Sequence, residues 1–321
     1  MNQHLAIGID VGGTKLAFAL VTPTGQVLSS YRLPTHAPEG SVVDRIAEGV
    51  AYLIARAEAP IDGIGIGCPG QVDTEGGVVR YAINMGWDEV QLGAELRARL
   101  PASERDRLTL AIDRDANAAA VGEMYFGAAQ GRRHFTFLAL GTGFGAGSVV
   151  DGRLIRSRAG LGMEVGHIML DPNGRLCRCG LHGCPEMYAS GIGVMAGYAA
   201  HQAAYPDSCL SAAESITTAD ILNAAAQADP LAVKILDEAG EWLGMVMALC
   251  GAALNPPLFL LGGGLGHAAA PYLIERALTE FRRRTLPNVS AGVTLGLSQV
   301  TNSAIGAASL VWAEQNAQVI D

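Results

Sequence analysis

Apolar residues in the first third of the chain alternate between two periods. Residues 5 to 11, 15 to 22 and 27 to 33 form short apolar runs separated by the Gly12-Gly13 turn and by Pro23-Thr24-Gly25, which predicts three strands in an antiparallel meander. From Ser41 to Ala57 the spacing becomes helical, with Val42, Val43, Ile46, Val50, Leu53 and Ile54 on one face. Ile61 to Gly67 returns as a short buried strand ending at Pro69-Gly70. Leu108 to Ile112 predicts another, running through Asp113-Arg114-Asp115 into a helix over Ala116 to Ala129. This alternation of strand and helix predicts an α/β fold.

At Phe135 the opening pattern returns. F-T-F-L-A-L, the turn Gly141-Thr142-Gly143, F-G-A-G-S-V-V, the turn Asp151-Gly152 and R-L-I repeat the order strand, Gly-Thr turn, strand, glycine turn, strand. The repeat predicts two related lobes, each offering a glycine turn to a shared cleft, which suits a nucleotide. Beyond it, helices are expected near 187–204, 218–227 and 230–254. A strand over Leu258 to Leu261 should lead into Gly262-Gly263-Gly264, and a last helix should span Ala304 to Glu314.

Composition narrows the function. Half of the 321 residues are hydrophobic, enough for a large buried core in one large or two ordinary domains. The net charge of −9 leaves no broad basic surface, so neither nucleic acid nor a membrane surface is an expected partner. The longest apolar stretch, Trp242 to Leu254, has 13 residues where a spanning helix needs roughly 20. No secretory leader precedes the first strand, and of six cysteines only three cluster, so a reducing, cytoplasmic setting is expected.

That cluster is the most specific chemical signal. His167, Cys177, Cys179 and Cys184 form C-x-C-x4-C with a histidine ten residues upstream, a donor set for one tetrahedral structural zinc; scattered core cysteines are the alternative. His182 is a competing ligand, expected to face solvent. Folding around an ion would bring Glu164 and Glu186 together, and a polyol needs several such fixed acceptors; otherwise both are plain surface carboxylates. His167 can serve zinc with one ring nitrogen and a substrate oxygen with the other.

The glycine turns suggest the second substrate. In Asp10-Val11-Gly12-Gly13-Thr14-Lys15, glycines let backbone N–H groups approach an anion, while Thr14 and Lys15 add a hydroxyl and a charge; a tight hairpin explains the same residues. Walker-loop spacing is absent. Leu140-Gly141-Thr142-Gly143 and Gly262-Gly263-Gly264 are the second and third turns, each at the carboxyl end of a strand, where ligands of open α/β sheets bind. Asp113, Asp115 and Glu123 surround the run starting at Ala116. Asp115 is either the cap of the following helix or a general base for phosphoryl transfer, and Asp10 could orient Mg2+ through water.

Taken together, D-V-G-G-T-K, D-R-D-A-N-A-A-A-V-G-E, L-G-T-G-F-G-A-G, G-M-E-V-G-H, C-x-C-G-x-x-G-C-x-E and L-G-G-G-L resemble the ROK family of bacterial sugar kinases and related repressors, over the whole length. The resemblance implies a two-lobed actin-like ATPase (ribonuclease H-like) fold, closing on ATP and a hexose and assembling as a homodimer or homotetramer. One lobe would take residues 1–115 with the helix 303–321, and the other residues 116–302. It implies Asp115 as base, and Gly70, Asn84, Glu164, His167 and Glu186 as sugar ligands. Gly12, Gly13, Thr14, Lys15, Thr142 and Gly143 would hold phosphates, with Gly263 and Gly264 beside the adenosine.

One position departs from the family. Asn usually precedes the catalytic Asp and touches sugar hydroxyls, whereas this chain has Arg114, a longer, donor-only side chain. An allose-kinase-like member is similar in having arginine there; N-M-G-W-D-E-V-Q-L and the complete zinc loop look like the glucokinase branch. The expectation is an ATP-dependent hexose kinase acting at O6, with glucose first and allose, mannose, fructose or an N-acetylhexosamine as alternatives. A sugar-responsive repressor would carry an added helix-turn-helix, where only four residues precede the first strand. A kinase-dead sugar-binding protein is the third reading.

Overall fold

The computed structural model describes residues 4–36, 39–82, 85–211 and 215–318, with side chains up to residue 315. The opening meander is β1 (Leu5–Val11), β2 (Lys15–Val21) and β3 (Val27–Pro34). Helix α1 (Val42–Ile54) starts at a capping box: Ser41 Oγ accepts from the Asp44 N–H, and Asp44 Oδ2 accepts from the Ser41 N–H at 2.7 Å. After β4 (Ile61–Cys68) come β5 (Gln71–Asp73), β6 (Val78–Ala82), β7 (Trp87–Val90), α2 (Leu92–Arg99) and α3 (Ala102–Arg105). The hydrophobic pattern predicts none of these last five. They are short, and α2 reads L-G-A-E-L-R-A-R, with too few apolar positions for a periodic signal.

Strand β8 (Thr109–Arg114) runs without a loop into α4 (Asp115–Phe126), whose last residue lies three before the predicted end. Next come β9 (Phe135–Leu140), β10 (Phe144–Val150), β11 (Arg153–Leu154), α5 (Gly191–His201), α6 (Thr218–Ala226), α7 (Pro230–Leu254) and β12 (Leu258–Gly262). The chain finishes with α8 (Gly264–Arg284), α9 (Pro287–Ser290), β13 (Thr294–Leu297) and α10 (Ser303–Gln318). Helix α5 begins later than the spacing predicts because Ser190 caps it, its hydroxyl accepting from the Gly193 N–H at 3.0 Å.

Two compact units result. The first comprises Met1–Arg133, Gly147–Gly162 and Ser298–Asp321, and the second His134–Ala146 and Met163–Leu297. In the first, the sheet order is β3-β2-β1-β4-β8, with β1, β4 and β8 parallel. Ile7, Ile9, Phe18 and Ile64 pack with Ile46 and Val50 of α1 in its main core. Helix α10 lies on Ala6 and Ala19, and its approach depends on two glycines. A Cβ on Gly8 or Gly65 would fall 1.8 Å from a carbonyl oxygen of α10, that of Ala304 or Ala307.

In the second unit β12 runs parallel to β9 on one side and to β13 on the other. Helices α7 and α8 contribute Leu243, Met247, Leu273 and Phe281 to a core with Leu138, Phe259 and Leu261. The apolar stretch beginning at Trp242 is the buried second half of α7, and no helix among the described residues is long and apolar enough to cross a membrane.

Candidate active site

In the first unit, parallel pairing aligns three chain reversals. Asp10 lies opposite Gly67, which lies opposite Asp113, so the carboxyl ends of β1, β4 and β8 lie side by side. From β1 the chain turns at Gly12-Gly13-Thr14, with Val11 paired to Leu16 and the Gly12 N–H donating to Lys15 O at 3.1 Å. The hairpin reading is therefore right, and the turn still exposes Thr14 and Lys15. Thr35, which sequence reasoning missed, braces it by donating its N–H to Thr14 O at 3.1 Å and its hydroxyl to Gly12 O. After β4, Gly70 adopts φ +85°, where a side chain is strained and a Cβ would lie 2.2 Å from Tyr81 O.

Asp10 is held by a hydrogen bond from the Ser303 hydroxyl at the start of α10. Burial raises its pKa above the ordinary carboxylate value, against the Ser303 bond and the Lys15 charge. The buried Cys68 thiol is likewise pushed up, first by burial and then by the charges of Asp115, Asp10 and Asp113. Asp115 is exposed between buried neighbours and is the first residue of α4, not its cap; Arg114 occupies the cap position. Asp115 Oδ1 accepts from the Ala116 N–H at 2.7 Å, in the first turn of the helix. Arg114 is only 4% exposed, and its Nη2 donates to Asn117 Oδ1 at 3.3 Å. Asn84 lies outside the described residues.

In the second unit, the parallel pairing of Gly262 with Ala139 sets two glycine turns beside one another. Gly263 has φ +83°, and a Cβ there would lie 2.3 Å from Leu140 O. Gly264 opens α8. The exposed Thr142 sits between Gly141 and Gly143, and the N-terminus of α5 secures the turn through Gly191 N–H to Gly141 O at 2.8 Å. Glu186 meets this turn directly. Its Oε2 accepts from the Phe144 N–H at 3.1 Å, and a Cβ on Gly143 would come within 2.5 Å of that oxygen.

The cysteine loop then orients Glu186 and His167. Cys177 N–H donates to Leu181 O at 2.8 Å and Gly180 N–H to Cys177 O at 3.0 Å, closing a tight turn that carries the thiols. His167 Nδ1 lies 3.6 Å from Cys177 Sγ, and Cys179 Sγ lies 3.6 Å from Cys184 Sγ. All four donor atoms fall within 4.8 Å of one another. Ligands on one tetrahedral zinc, with bonds of about 2.0 Å to nitrogen and 2.3 Å to sulfur, stand roughly 3.6 to 3.8 Å apart, so the geometry is compatible with that ion. Burial pushes the Cys177 and Cys184 thiols up, so a cation binding there would displace protons. His182 is exposed and outside the cluster, its Nδ1 3.0 Å from Gly174 O.

With Nδ1 turned to sulfur, His167 Nε2 lies 3.7 Å from Glu186 Oε2, leaving both available to one hydroxylated ligand. Glu164 sits one 3₁₀ turn earlier, its carbonyl accepting from the His167 N–H at 3.0 Å. Arg175 fixes the far side of the loop, donating to Met187 O at 2.9 Å and pairing with Glu238 at 2.6 Å. Its guanidinium covers the Tyr188 ring, itself stacked on Trp242 at 3.7 Å.

A family model described as ROK family matches residues 6–314. The chain belongs to the ROK family. It is 30% identical to a glucokinase of Halalkalibacterium halodurans, across 98% of this chain and 97% of that protein. A ROK family glucokinase from Streptomyces griseus, solved with glucose and AMPPNP, superposes with a TM-score of 0.80 at 32% identity, covering 95% of this chain and 98% of that one. A ROK family transcriptional regulator homologous to the E. coli MLC protein gives a TM-score of 0.85 at 29% identity, covering 97% of this chain and 78% of that one. The fold is thus the two-domain actin-like ATPase fold, and the chain is an ATP-dependent sugar kinase.

Proposed function

We propose that this kinase transfers the γ-phosphoryl group of ATP to O6 of glucose. The observation that carries the reading is the contact between the Glu186 carboxylate and the Thr142-Gly143 turn, beside a histidine whose other nitrogen lies against the Cys177 sulfur in a cluster with two further thiols. A sugar acceptor and a phosphate-type turn thereby share one small region. The glucokinase relatives, and the Streptomyces griseus enzyme solved with glucose and AMPPNP, support glucose as the acceptor.

In this reading Asp115, placed in the first turn of α4, takes the proton of the attacking hydroxyl. Gly70, Asn84, Arg114, Glu164, His167 and Glu186 bind sugar hydroxyls. A buried acceptor or hydroxyl left unpaired costs about 1–3 kcal/mol, so this set also selects the epimer. Gly12, Gly13, Thr14, Lys15, Thr142 and Gly143 hold phosphates, and Gly263 and Gly264 lie by the adenosine. Asp10 would hold Mg2+ through water, the ion neutralising charge on the phosphate oxygens when bound. His167, Cys177, Cys179 and Cys184 would hold a structural Zn2+ that keeps the loop in shape.

A coupled assay over glucose, mannose, allose, fructose, N-acetylglucosamine and N-acetylmannosamine tests the proposal, with glucose expected to give the highest kcat/KM. Another sugar ranking first would overturn the glucose assignment. Asp115→Asn should lower kcat by about 10²–10⁴-fold while sugar binding persists, and retained turnover would show that another group is the base. A second reading, a sugar-responsive regulator, draws on the likeness to the ROK transcriptional regulator. Glucose binding by calorimetry without turnover on any of the six sugars would favour it.

A further inference from the structure

Two residues with no assigned role converge on the junction from which Asp115 emerges. Asp113, on β8, has a side chain only 1% exposed, yet three donors satisfy it. Its Oδ1 accepts from the Arg114 N–H at 2.8 Å and from Asn117 Nδ2 at 2.7 Å, and its Oδ2 from Arg156 Nε at 2.7 Å. These bonds bracket Asp115, since Arg114 precedes it and Asn117 follows it in the first turn of α4. Arg156 comes from just beyond β11, and its Nη1 pairs with Glu314 of α10 at 2.6 Å. We propose that Arg156 and Asp113 are a positioning pair for Asp115, setting the direction in which its carboxylate leaves the junction between β8 and α4.

Helix α4 begins without a side-chain cap, because Arg114, at the cap position, makes no capping bond. The Asp113 carboxylate, bonded to both the amide before Asp115 and the side chain after it, supplies that restraint from one residue further back. A charged partner offsets part of the cost of burying a carboxylate, and a charge-assisted bond is short and directional. Arg156 is that partner, and Glu314 fixes its other end, so the orientation of the base is referred to α10. The inference rests on Asp115 being the base. Neither residue needs to touch substrate to act.

The test compares kcat, both KM values and thermal midpoints for Arg156→Met, Arg156→Lys, Asp115→Asn and the double variant Asp115→Asn/Arg156→Met. Arg156→Met should lower kcat by about ten-fold or more with KM for ATP little changed, as expected when a reacting group is displaced by a fraction of an ångström. Arg156→Lys should recover part of the loss. In the Asp115→Asn background the methionine substitution should cost nothing further, because the group it positions is gone. The same fold loss in both backgrounds would mean a structural role only and would overturn the inference. So would unchanged kcat in Arg156→Met alongside an inactive Asp115→Asn, whereas full turnover in Asp115→Asn would overturn the base assignment and the inference with it. Should Arg156→Met not fold, Glu314→Gln loosens only the far end of the guanidinium. A two- to three-fold loss of kcat, absent in the Asp115→Asn background, is then expected, and no loss in either Glu314→Gln or Arg156→Lys would overturn the pair.

Discussion

Replacing Gly65 by alanine tests whether the C-terminal helix is part of the catalytic support. The added Cβ would sit 1.8 Å from the Ala307 carbonyl oxygen, where real contacts stay beyond 3.0 Å, and the neighbour is helix backbone with no rotamer to move. Helix α10 would have to retreat by roughly 1.2 Å, loosening Ala304, Ala308 and Val311 from Ala6 and Ala19. Overpacking of this kind costs about 1–3 kcal/mol, and a rigid backbone obstacle belongs at the upper end. Lower chain entropy in the unfolded state returns about 0.4–1 kcal/mol, so the net loss is about 2 kcal/mol. At about 2–4 °C per kcal/mol the melting temperature should fall by roughly 4–8 °C. Activity should fall too, at temperatures well below melting, because Ser303 at the start of α10 holds the Asp10 carboxylate. Scanning calorimetry and a coupled assay at 25 °C measure both. Gly296→Ala is the control, since its nearest neighbour, Leu260 Cδ2, lies at an ordinary 3.6 Å. If Gly65→Ala melts within about a degree of the parent and turns over normally, the close-approach argument is wrong.

Metal analysis of purified protein should find about one zinc per chain, and removing it with a chelator should raise the sugar KM more than the ATP KM, because His167 and Glu186 lose their support. Folded, fully active protein without metal would refute the loop-bracing role. Glu280 predicts an acid transition. Burial raises its pKa, but hydrogen bonds from Arg283 and Arg284 outweigh that and bring it from its ordinary value of 4.5 to about 2. A depressed carboxylate stabilises above its unfolded pKa and loses that contribution as pH falls through the folded one. The parent should therefore lose stability between about pH 4.5 and 2 more steeply than Glu280→Gln, as acid titration monitored by circular dichroism would show. Equal slopes would refute the linkage.

What the sequence made legible follows from how far apart in the chain the cooperating residues lie. The thiols of Cys177, Cys179 and Cys184 are set by one tight turn, so ligand spacing alone was enough to find the cluster. The glycine turns were equally local: each sits at the end of an apolar strand that announces itself. By contrast, Asp113, Asp115 and Glu123 look like one acidic group in sequence and serve three different ends. Asp113 is buried in an ion pair, Asp115 is exposed, and Glu123 accepts from the amides of Ala128, Gln299 and Val300, tying α4 to the segment that leads into α10. Nothing within a helical window separates these roles, because the deciding partners of Asp113 and Glu123 lie 43 and 176 or more residues away. Ser303, 293 residues from Asp10, was invisible for the same reason. Residue chemistry and turn geometry thus mark where a site can be, while sheet register and the packing of α10 decide which of several plausible carboxylates is presented and which are consumed in holding it.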